Sequence, residues 1–325
     1  MSSTRQSPIP SGFGPQTTAR EILANRDLSG KTAVVTGGYS GIGVETTRAL
    51  ANAGAMVIVP ARTPEKARAA VEGMPNVELE ELDLMDPASI DAFARRFLAT
   101  GRPLHVLVNS AGVMATPLRR DARGYESQFS TNHLGHFHLT ARLWPALKMA
   151  RGARVVAVSS RGHRLGGVNF DDPNFEKREY DRWQAYAQSK SANALFALEL
   201  DRRSRNYDVR AFAVHPGLVP ETDLGRDLLG GILPRPVRNS KGEVSDESAV
   251  KVKNVEQGAA TSVWCATSHQ LDGMGGVYCE DCDISAAVSA DSLSPTGVRP
   301  WATDPELAQR LWDLSEKLTS VEFDI

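Results

Sequence analysis

The stretch Thr36-Gly37-Gly38-Tyr39-Ser40-Gly41-Ile42-Gly43 decides the fold. It directly follows the apolar run Thr32–Val35 and leads into a helical pattern over Gly43–Ala53. Glycines let the backbone turn tightly and approach a pyrophosphate, which the N-terminus of the following helix binds. Such a glycine pattern alone is a weak indication, but its place between a first strand and a first helix makes it much stronger. We therefore expect a dinucleotide-binding site here.

Strand-like and helix-like segments alternate along the rest of the chain. Apolar runs that suit strands buried on both faces of a parallel sheet lie at Thr32–Val35, Met56–Val59, Val77–Leu79, Leu104–Val108, Arg154–Val158, Val209–Val214 and Gly276–Tyr278. Helical patterns lie between them, at Gly43–Ala53, Pro64–Glu72, Pro87–Leu98, Thr131–Lys148, Ala187–Arg205 and Gly258–Thr267. The alternation predicts an α/β fold, a doubly wound parallel sheet of about seven strands with helices on both faces.

The predicted domain has an extension at each end. Residues 1–29 are expected to form an N-terminal arm, residues 30–285 the domain, and residues 286–325 a C-terminal extension. Leucines at helical spacing predict a terminal helix over Asp304–Leu318. Residues 218–256 are charged and contain Gly, Pro and Ser, so we interpret them as a substrate lid, with an ordinary surface loop as the alternative.

The composition excludes several classes of function. The net charge is −2, so no overall attraction to nucleic acid or to an anionic membrane is expected. No run reaches the roughly 18 apolar residues that a membrane helix needs. The polar start, Met1–Gln16, has the pattern of neither a signal peptide nor an anchor. We expect a soluble, cytoplasmic protein without a nucleic-acid or membrane partner.

Cysteine usage indicates neither disulfides nor a metal. Three cysteines do not make a disulfide framework. Cys279 and Cys282 have the spacing of half a zinc site, but a structural zinc site needs four ligands. No second Cys or His pair lies near them in sequence. We therefore predict no metal and interpret these cysteines as reduced thiols.

The run Tyr186-Ala-Gln-Ser-Lys190, placed 26 residues after Ser160, carries the candidate chemistry. Tyr and Lys four residues apart share one face of a helix. A free tyrosine has a pKa of about 10, and an ammonium beside it favours the phenolate and lowers that pKa. With a serine hydroxyl sharing the substrate oxygen, such a group can move a proton at an alcohol or ketone. The alternative is a solvated helix face.

The end of the second strand indicates which dinucleotide binds. An NAD site usually places an acid about 20 residues past the first glycine, where it binds the ribose hydroxyls. Here Ala61 and Arg62 follow Val59-Pro60. A guanidinium suits a 2′-phosphate, so NADP(H) is favoured and NAD(H) remains the alternative. An ordinary surface role for Arg62 is the other interpretation.

These motifs together resemble the short-chain dehydrogenase/reductase family, over about residues 30–285. The chain matches the branch with the TGxxxGxG and YxxxK motifs. Within it, the chain is most similar to the retinol-dehydrogenase-like group, because of its "GGVNFDDPNF" and "YAQSKSANALFALEL" segments. The resemblance implies a Rossmann-type fold and NAD(P)-dependent alcohol/ketone chemistry. The family often pairs through the helix that carries YxxxK, so a homo-oligomer is an open alternative.

The resemblance also implies a cofactor-binding set, one group of residues after each strand. In order along the chain, the set is Gly37, Ser40, Gly41, Ile42, Gly43, Arg62, Asp83, Leu84, Asn109, Ala111, Gly112, Tyr186, Lys190, Pro216, Gly217 and Val219. The family's PGxVxT motif has one residue extra here, which puts Thr222 in doubt as a cofactor contact.

The implied catalytic set is Ser160, Tyr186, Lys190 and Asn132. Tyr186 would exchange a proton with the substrate oxygen, Lys190 would lower its pKa and bind the nicotinamide ribose, and Asn132 would complete a proton relay. The predicted substrate is a small, hydrophobic carbonyl or alcohol compound, with Trp183 as a candidate wall of its site. Two alternatives stay open: an NAD-dependent alcohol dehydrogenase of the same fold, and a regulatory protein that binds NADP(H) without turnover.

Overall fold

A computed structural model describes residues 4–228, 239–246 and 250–325. Within these residues, one sheet has the strand order β3-β2-β1-β4-β5-β6-β7-β8. Its strands are β1 Thr32–Thr36, β2 Met56–Ala61, β3 Val77–Glu81, β4 Val106–Asn109, β5 Ala153–Val158, β6 Val209–His215, β7 Val277–Glu280 and β8 Asp283–Ile284. Neighbours are parallel except β7 and β8. The predicted doubly wound sheet is confirmed, and the two-residue β8 is an addition.

Helices connect the strands on both faces. They are α1 Ala19–Ile22, α2 Gly41–Asn52, α3 Pro64–Val71, α4 Pro87–Ala99, α5 Ser127–Phe129, α6 Gly135–Met149, α7 Arg182–Ser204, α8 Val255–Thr267 and α9 Pro305–Thr319. A π-helical turn, Ser130–Leu134, joins α5 to α6. Helix α7 begins five residues before the predicted start, because the Asp181 carboxylate accepts hydrogen bonds from the backbone N–H groups of Trp183 and Gln184.

The sheet is buried on both faces, as its apolar strands predict. Val34 packs in the core that α4, α6 and α7 cover, and its neighbour Val35 packs in the core on the other side, under α2 and α8. Successive strand side chains point to opposite faces. The strand order reverses between β1 and β4, which opens a crevice at the carboxyl ends of the central strands.

Both extensions pack against this body. In the described part of the N-terminal arm, Gln6 donates hydrogen bonds to the carbonyls of Tyr278 and Ser285. At the other end, Trp312 of α9 stacks on Phe196 of α7, with ring centroids 6.2 Å apart. The buried face of α9 is Ala308, Leu311, Trp312, Ser315 and Thr319. It is rotated from the predicted leucine stripe, in which only Leu311 is fully buried.

None of the helices in the described ranges is long and apolar enough to cross a membrane.

Candidate active site

A cleft of about 860 Å³ lies at the carboxyl ends of the central strands. This is a typical size for a small-molecule site. The glycine turn after β1 lines one end, and Ser160, Tyr186 and Lys190 line the other. The cleft therefore brings the predicted nucleotide-binding turn and the predicted catalytic side chains into one continuous space.

At two positions of the glycine turn, other backbone atoms lie so close that only glycine fits. Gly37 has φ +67°, and a Cβ there would lie 2.9 Å from the Cα of Ala111. A Cβ on Gly43 would lie 2.2 Å from the carbonyl oxygen of Gly37. Helix α2 begins at Gly41, directly beside the cleft. The turn therefore presents bare backbone and a helix N-terminus, which fits the pyrophosphate of a dinucleotide.

The lining of the cleft also includes the predicted cofactor residues that follow β2 and β3. Asp83 and Leu84 both line it. The Asp83 side chain accepts a hydrogen bond from the backbone N–H of Met85 at 2.9 Å, which fixes the loop after β3. Arg62 is exposed and lines the cleft together with Lys66 of α3, four residues further along the chain. Lys66 was not predicted.

Two predicted residues lie outside the cleft lining. Asn109 is buried, and its side-chain amide donates to the hydroxyl of Thr140 on α6, 3.2 Å away. Asn132 is also buried; its amide donates to the carbonyl of Val113 and the hydroxyl of Ser189, each at 2.9 Å. Both side chains form hydrogen bonds with residues around the cleft, and neither side chain lines the cleft itself.

Asn132 still lies close to the candidate lysine. A Cβ on Gly112 would be 3.1 Å from the Asn132 oxygen and 3.6 Å from the Lys190 nitrogen. The Asn132 oxygen and the Lys190 nitrogen therefore lie on the same side of Gly112. Among the described residues, no hydrogen bond joins these two side chains. The remaining predicted cofactor residues, from Gly37 to Val219, all line the cleft.

Ser160 and Tyr186 meet at the inner end of the cleft. The Ser160 hydroxyl accepts a hydrogen bond from the backbone N–H of Gly162 at 3.0 Å. The Tyr186 side chain is buried, which raises the tyrosine pKa, while its hydrogen bond with the Ser160 side chain acts in the opposite direction. The neighbouring Ser159 hydroxyl instead donates to the carbonyl of Lys190 at 2.7 Å.

The expected effect of Lys190 on Tyr186 is not what the structure shows. Burial raises the Tyr186 pKa to about 12, and the opposing contribution comes from Ser160. The Lys190 ammonium lies 5.7 Å from the centre of the Tyr186 ring and donates to the carbonyl of Val158 at 3.0 Å. Burial lowers the Lys190 pKa to about 8. Burial is thus the largest cause of both shifts, and Lys190 is not among the causes of the Tyr186 shift.

An apolar wall faces the reacting end. Met114 and Ala115 pack against Tyr186, and Trp183, Leu224 and Leu228 complete the cluster. The Trp183 ring meets the Tyr186 ring edge to face, with centroids 6.4 Å apart. The sequence indicated Trp183, but Met114 lies 69 residues before it and Leu224 lies 41 residues after it, and neither had a recognisable motif.

The base of the predicted lid closes over the cofactor turn. Leu218 and Val252 form a bridge between the two ends of the segment. Thr222 lines the cleft, and its methyl group would lie 3.0 Å from a Cβ on Gly41. The extra residue in the motif therefore does not remove Thr222 from the site. Residues 229–238 and 247–249 of the predicted lid lie outside the described residues.

Comparisons with known proteins assign this fold and cleft to a family. A family model described as short chain dehydrogenase matches residues 31–229. The chain has a Rossmann-type α/β fold and belongs to the short-chain dehydrogenase family, a family of oxidoreductases that use a nicotinamide cofactor.

Individual relatives define the group within the family. The chain is 43% identical to a protein of Streptomyces lividans named "Probable oxidoreductase", over 88% of this chain and 97% of that protein. It is 38% identical to human retinol dehydrogenase 12, over 92% of this chain and 90% of the relative. The expected resemblance to the retinol-dehydrogenase-like group is confirmed.

A solved structure supports the same fold over nearly the whole chain. An uncharacterized protein from Mycobacterium paratuberculosis is 36% identical, with a TM-score of 0.72, and the match covers 95% of this chain and 100% of that one. The match therefore extends beyond the family model's residues 31–229.

Proposed function

We propose that this protein is an NADP(H)-dependent oxidoreductase that interconverts an apolar carbonyl compound and its alcohol, with Tyr186 as general acid and base. The observation that carries the proposal is one cleft that joins the glycine turn to Ser160, Tyr186 and Lys190. A binding protein without turnover has no need for a buried tyrosine and lysine at the inner end of its nucleotide site.

Tyr186 and Ser160 handle the proton. Bound NADP(H) would supply or accept the hydride at the reacting carbon. During reduction, the Tyr186 hydroxyl donates its proton to the carbonyl oxygen; during oxidation, the phenolate accepts the carbinol proton. The Ser160 hydroxyl donates a hydrogen bond to the same substrate oxygen, which orients it toward Tyr186. Tyr186 and Ser160 thus act at the substrate oxygen, while the hydride transfer takes place at the neighbouring carbon.

Lys190 acts through charge and position. Its pKa of about 8 leaves it mostly protonated at neutral pH. Its Nζ lies near the Gly112 backbone and the end of β5, where it would hold the ribose hydroxyls next to the nicotinamide. Each further hydrogen bond that the ammonium makes there favours its charged form, which in turn favours the Tyr186 phenolate.

Two cations and the lack of an acid favour NADP(H) over NAD(H). Ala61, where an NAD site usually has an acid, is a buried apolar residue. Arg62 and Lys66 line the cleft beside it and leave their charged ends in solvent. A guanidinium and an ammonium on one side of the adenosine ribose suit a 2′-phosphate.

The substrate class follows from the wall opposite Tyr186. Met114, Trp183 and Leu224 pack in the cluster around Tyr186 and line the cleft, so burial of an apolar substrate is favourable there. The name of the human relative, retinol dehydrogenase 12, is consistent with an apolar alcohol.

The test is a direct assay of nicotinamide absorbance. Purified protein is mixed with NADPH or NADH and a panel of hydrophobic aldehydes and ketones, and with NADP+ or NAD+ and the matching alcohols. We expect turnover with the phosphorylated cofactors. Tyr186→Phe removes the proton donor and little volume, so it should abolish turnover while NADPH binding stays within about twofold of wild type.

Each outcome of this assay has a distinct meaning. Turnover with NAD(H) alone would keep the mechanism and replace the cofactor assignment. Tyr186→Phe with a wild-type rate would refute Tyr186 as the acid and base. Cofactor binding without turnover of any panel member in either direction would refute the enzyme assignment for this substrate class and favour the regulatory alternative.

A further inference from the structure

The segment directly after Ser160 is held by the C-terminal extension. Residues Arg161–Leu165 form a 3-10 turn that begins at Ser160. Arg164 donates to the carbonyl of Pro295 at 3.1 Å, and the Trp301 indole N–H donates to the carbonyl of His163 at 2.8 Å. The turn that carries the candidate catalytic serine is therefore fixed by residues about 130 positions away in sequence.

His163 lies at the centre of this contact and is buried, with 1% of its surface exposed. Its Nδ1 is 2.7 Å from the carbonyl oxygen of Ser160. Its Nε2 is 3.3 Å from the backbone nitrogen of Arg299. One imidazole thus joins the catalytic turn to the C-terminal extension.

These partners fix the tautomer of His163. A backbone N–H can only donate, so Nε2 must be the acceptor for Arg299. Nδ1 therefore carries the proton and donates it to the Ser160 carbonyl, with the Tyr278 hydroxyl 3.2 Å away as a second neighbour. Burial lowers the His163 pKa to about 3, so the ring stays neutral and keeps this arrangement at physiological pH.

The bond to the Ser160 carbonyl controls where the serine hydroxyl points. The same carbonyl also accepts the backbone N–H of His163 at 3.0 Å, and the hydroxyl accepts the N–H of Gly162 within the same turn. A rotation of the Ser160 peptide would therefore move the hydroxyl relative to Tyr186. Displacements of about 1 Å in a reacting geometry can reduce a rate by about 100-fold.

We propose that His163 is a positioning residue for Ser160, acting through its Nδ1–H bond to the Ser160 carbonyl and held in that orientation by Arg299 of the C-terminal extension. The proposal rests on the oxidoreductase function proposed above. It adds a residue that does not contact the substrate, and it gives the C-terminal extension a part in the reaction.

Three substitutions separate the two hydrogen bonds of the imidazole. The amide nitrogen of asparagine can occupy the position of Nδ1, so His163→Asn keeps the donor to Ser160. The amide of glutamine reaches the position of Nε2, so His163→Gln keeps the partner of Arg299 and loses that donor. His163→Ala loses both. Steady-state kinetics with NADPH and an aldehyde, and fluorescence titration of NADPH, are measured for each variant.

We expect kcat for His163→Gln and His163→Ala to fall by about 10- to 100-fold, and kcat for His163→Asn to stay within about threefold of wild type. The NADPH Kd should be unchanged in all three, because His163 does not line the cleft. His138→Ala is the matched control: it removes another buried imidazole, bonded to Asp91 at 2.9 Å and away from the cleft, and should leave kcat unchanged.

The comparison of kcat between His163→Asn and His163→Gln decides the outcome, even if His163→Ala does not fold. Equal kcat losses for Asn and Gln, or no loss for Gln, would overturn the positioning role while leaving the proposed function in place. Wild-type protein that turns over no panel member in either direction would overturn the proposed function, and this proposal with it.

Discussion

Replacing Arg62 with alanine should weaken NADPH binding and leave NADH binding unchanged. Arg62 is exposed and lines the cleft directly after β2, and the exposed Lys66 of α3 lines it four residues later. The two cofactors differ only in the 2′-phosphate. An effect confined to NADPH therefore reports a contact with that phosphate.

The magnitude follows from the charges and the exposure of this wall. A phosphate monoester carries about −1.5 to −2 charges near neutral pH. Two unit charges about 4 Å apart in water interact by about 1 kcal/mol, so one cation facing this phosphate contributes about 2 kcal/mol. That corresponds to a rise of about 30-fold in the NADPH Kd. The same estimate applies to Lys66→Ala, and both losses should shrink at high salt.

Fluorescence titrations of NADPH and NADH with wild type, Arg62→Ala and Lys66→Ala measure these affinities. Arg68→Ala is the matched control, because Arg68 is exposed on the same helix but lies outside the cleft lining. Equal losses for both cofactors would show that Arg62 supports the fold of the loop, not the phosphate. Unchanged NADPH affinity in both single variants would refute the proposed contact of Arg62 and Lys66 with the 2′-phosphate.

Three further predictions concern acidity and stability. Ser160→Ala removes the hydrogen bond that lowers the Tyr186 pKa, so the pH profile of kcat for alcohol oxidation should shift to higher pH; an unshifted profile would contradict this role. The free energy of unfolding in urea should fall by up to about 4 kcal/mol per pH unit as pH drops below about 6.5. Three histidines are protonated in the unfolded chain at these pH values but stay neutral when buried in the folded protein. A constant free energy of unfolding from pH 7 to pH 5 would refute this prediction. The three residues have pKa values lowered to about 3 or 4: His133, His136 and His163. Trp312→Ala should cost about 3–5 kcal/mol in urea unfolding, since the ring is buried between α7 and the chain end; a loss below about 1 kcal/mol would show that α9 docks without it.

The sign of the histidine effect follows from the direction of each pKa shift. Burial lowers the folded-state pKa below the unfolded value of about 6.5. Between these two values, the unfolded chain is protonated and the folded chain is not. Falling pH therefore favours unfolding throughout this window, and the effect levels off only below the folded-state values. Each histidine contributes about 1.4 kcal/mol per pH unit within it.

The nucleotide end of the cleft could be predicted because its geometry is local. A strand, a glycine turn and a helix N-terminus are consecutive in sequence, and Gly43 is required by its contact with the Gly37 carbonyl in the same turn. The YxxxK spacing is likewise a property of one helix, α7. Local patterns of this kind carry their structure with them.

The direction of single side chains could not be predicted in the same way. Asn132 comes from a recognisable motif, but its amide donates to the carbonyl of Val113 and the hydroxyl of Ser189, and the side chain does not line the cleft. Which way a side chain turns depends on partners from other elements. The same holds for the Tyr186 pKa, which burial raises although the sequence places a lysine one helical turn away.

The reacting end of the cleft is assembled from segments that are distant in sequence. Met114 follows β4, Trp183 begins α7, and Leu224 follows β6. The Ser160 turn is braced by the C-terminal extension through His163 and Trp301. Strand β5 fixes the position of Ser160 and helix α7 that of Tyr186, while the loops and the extension set the shape around the substrate. Changes in those outer segments can therefore alter the substrate that fits without changing the cofactor turn, and this separation explains why the sequence indicates the reaction more clearly than the substrate.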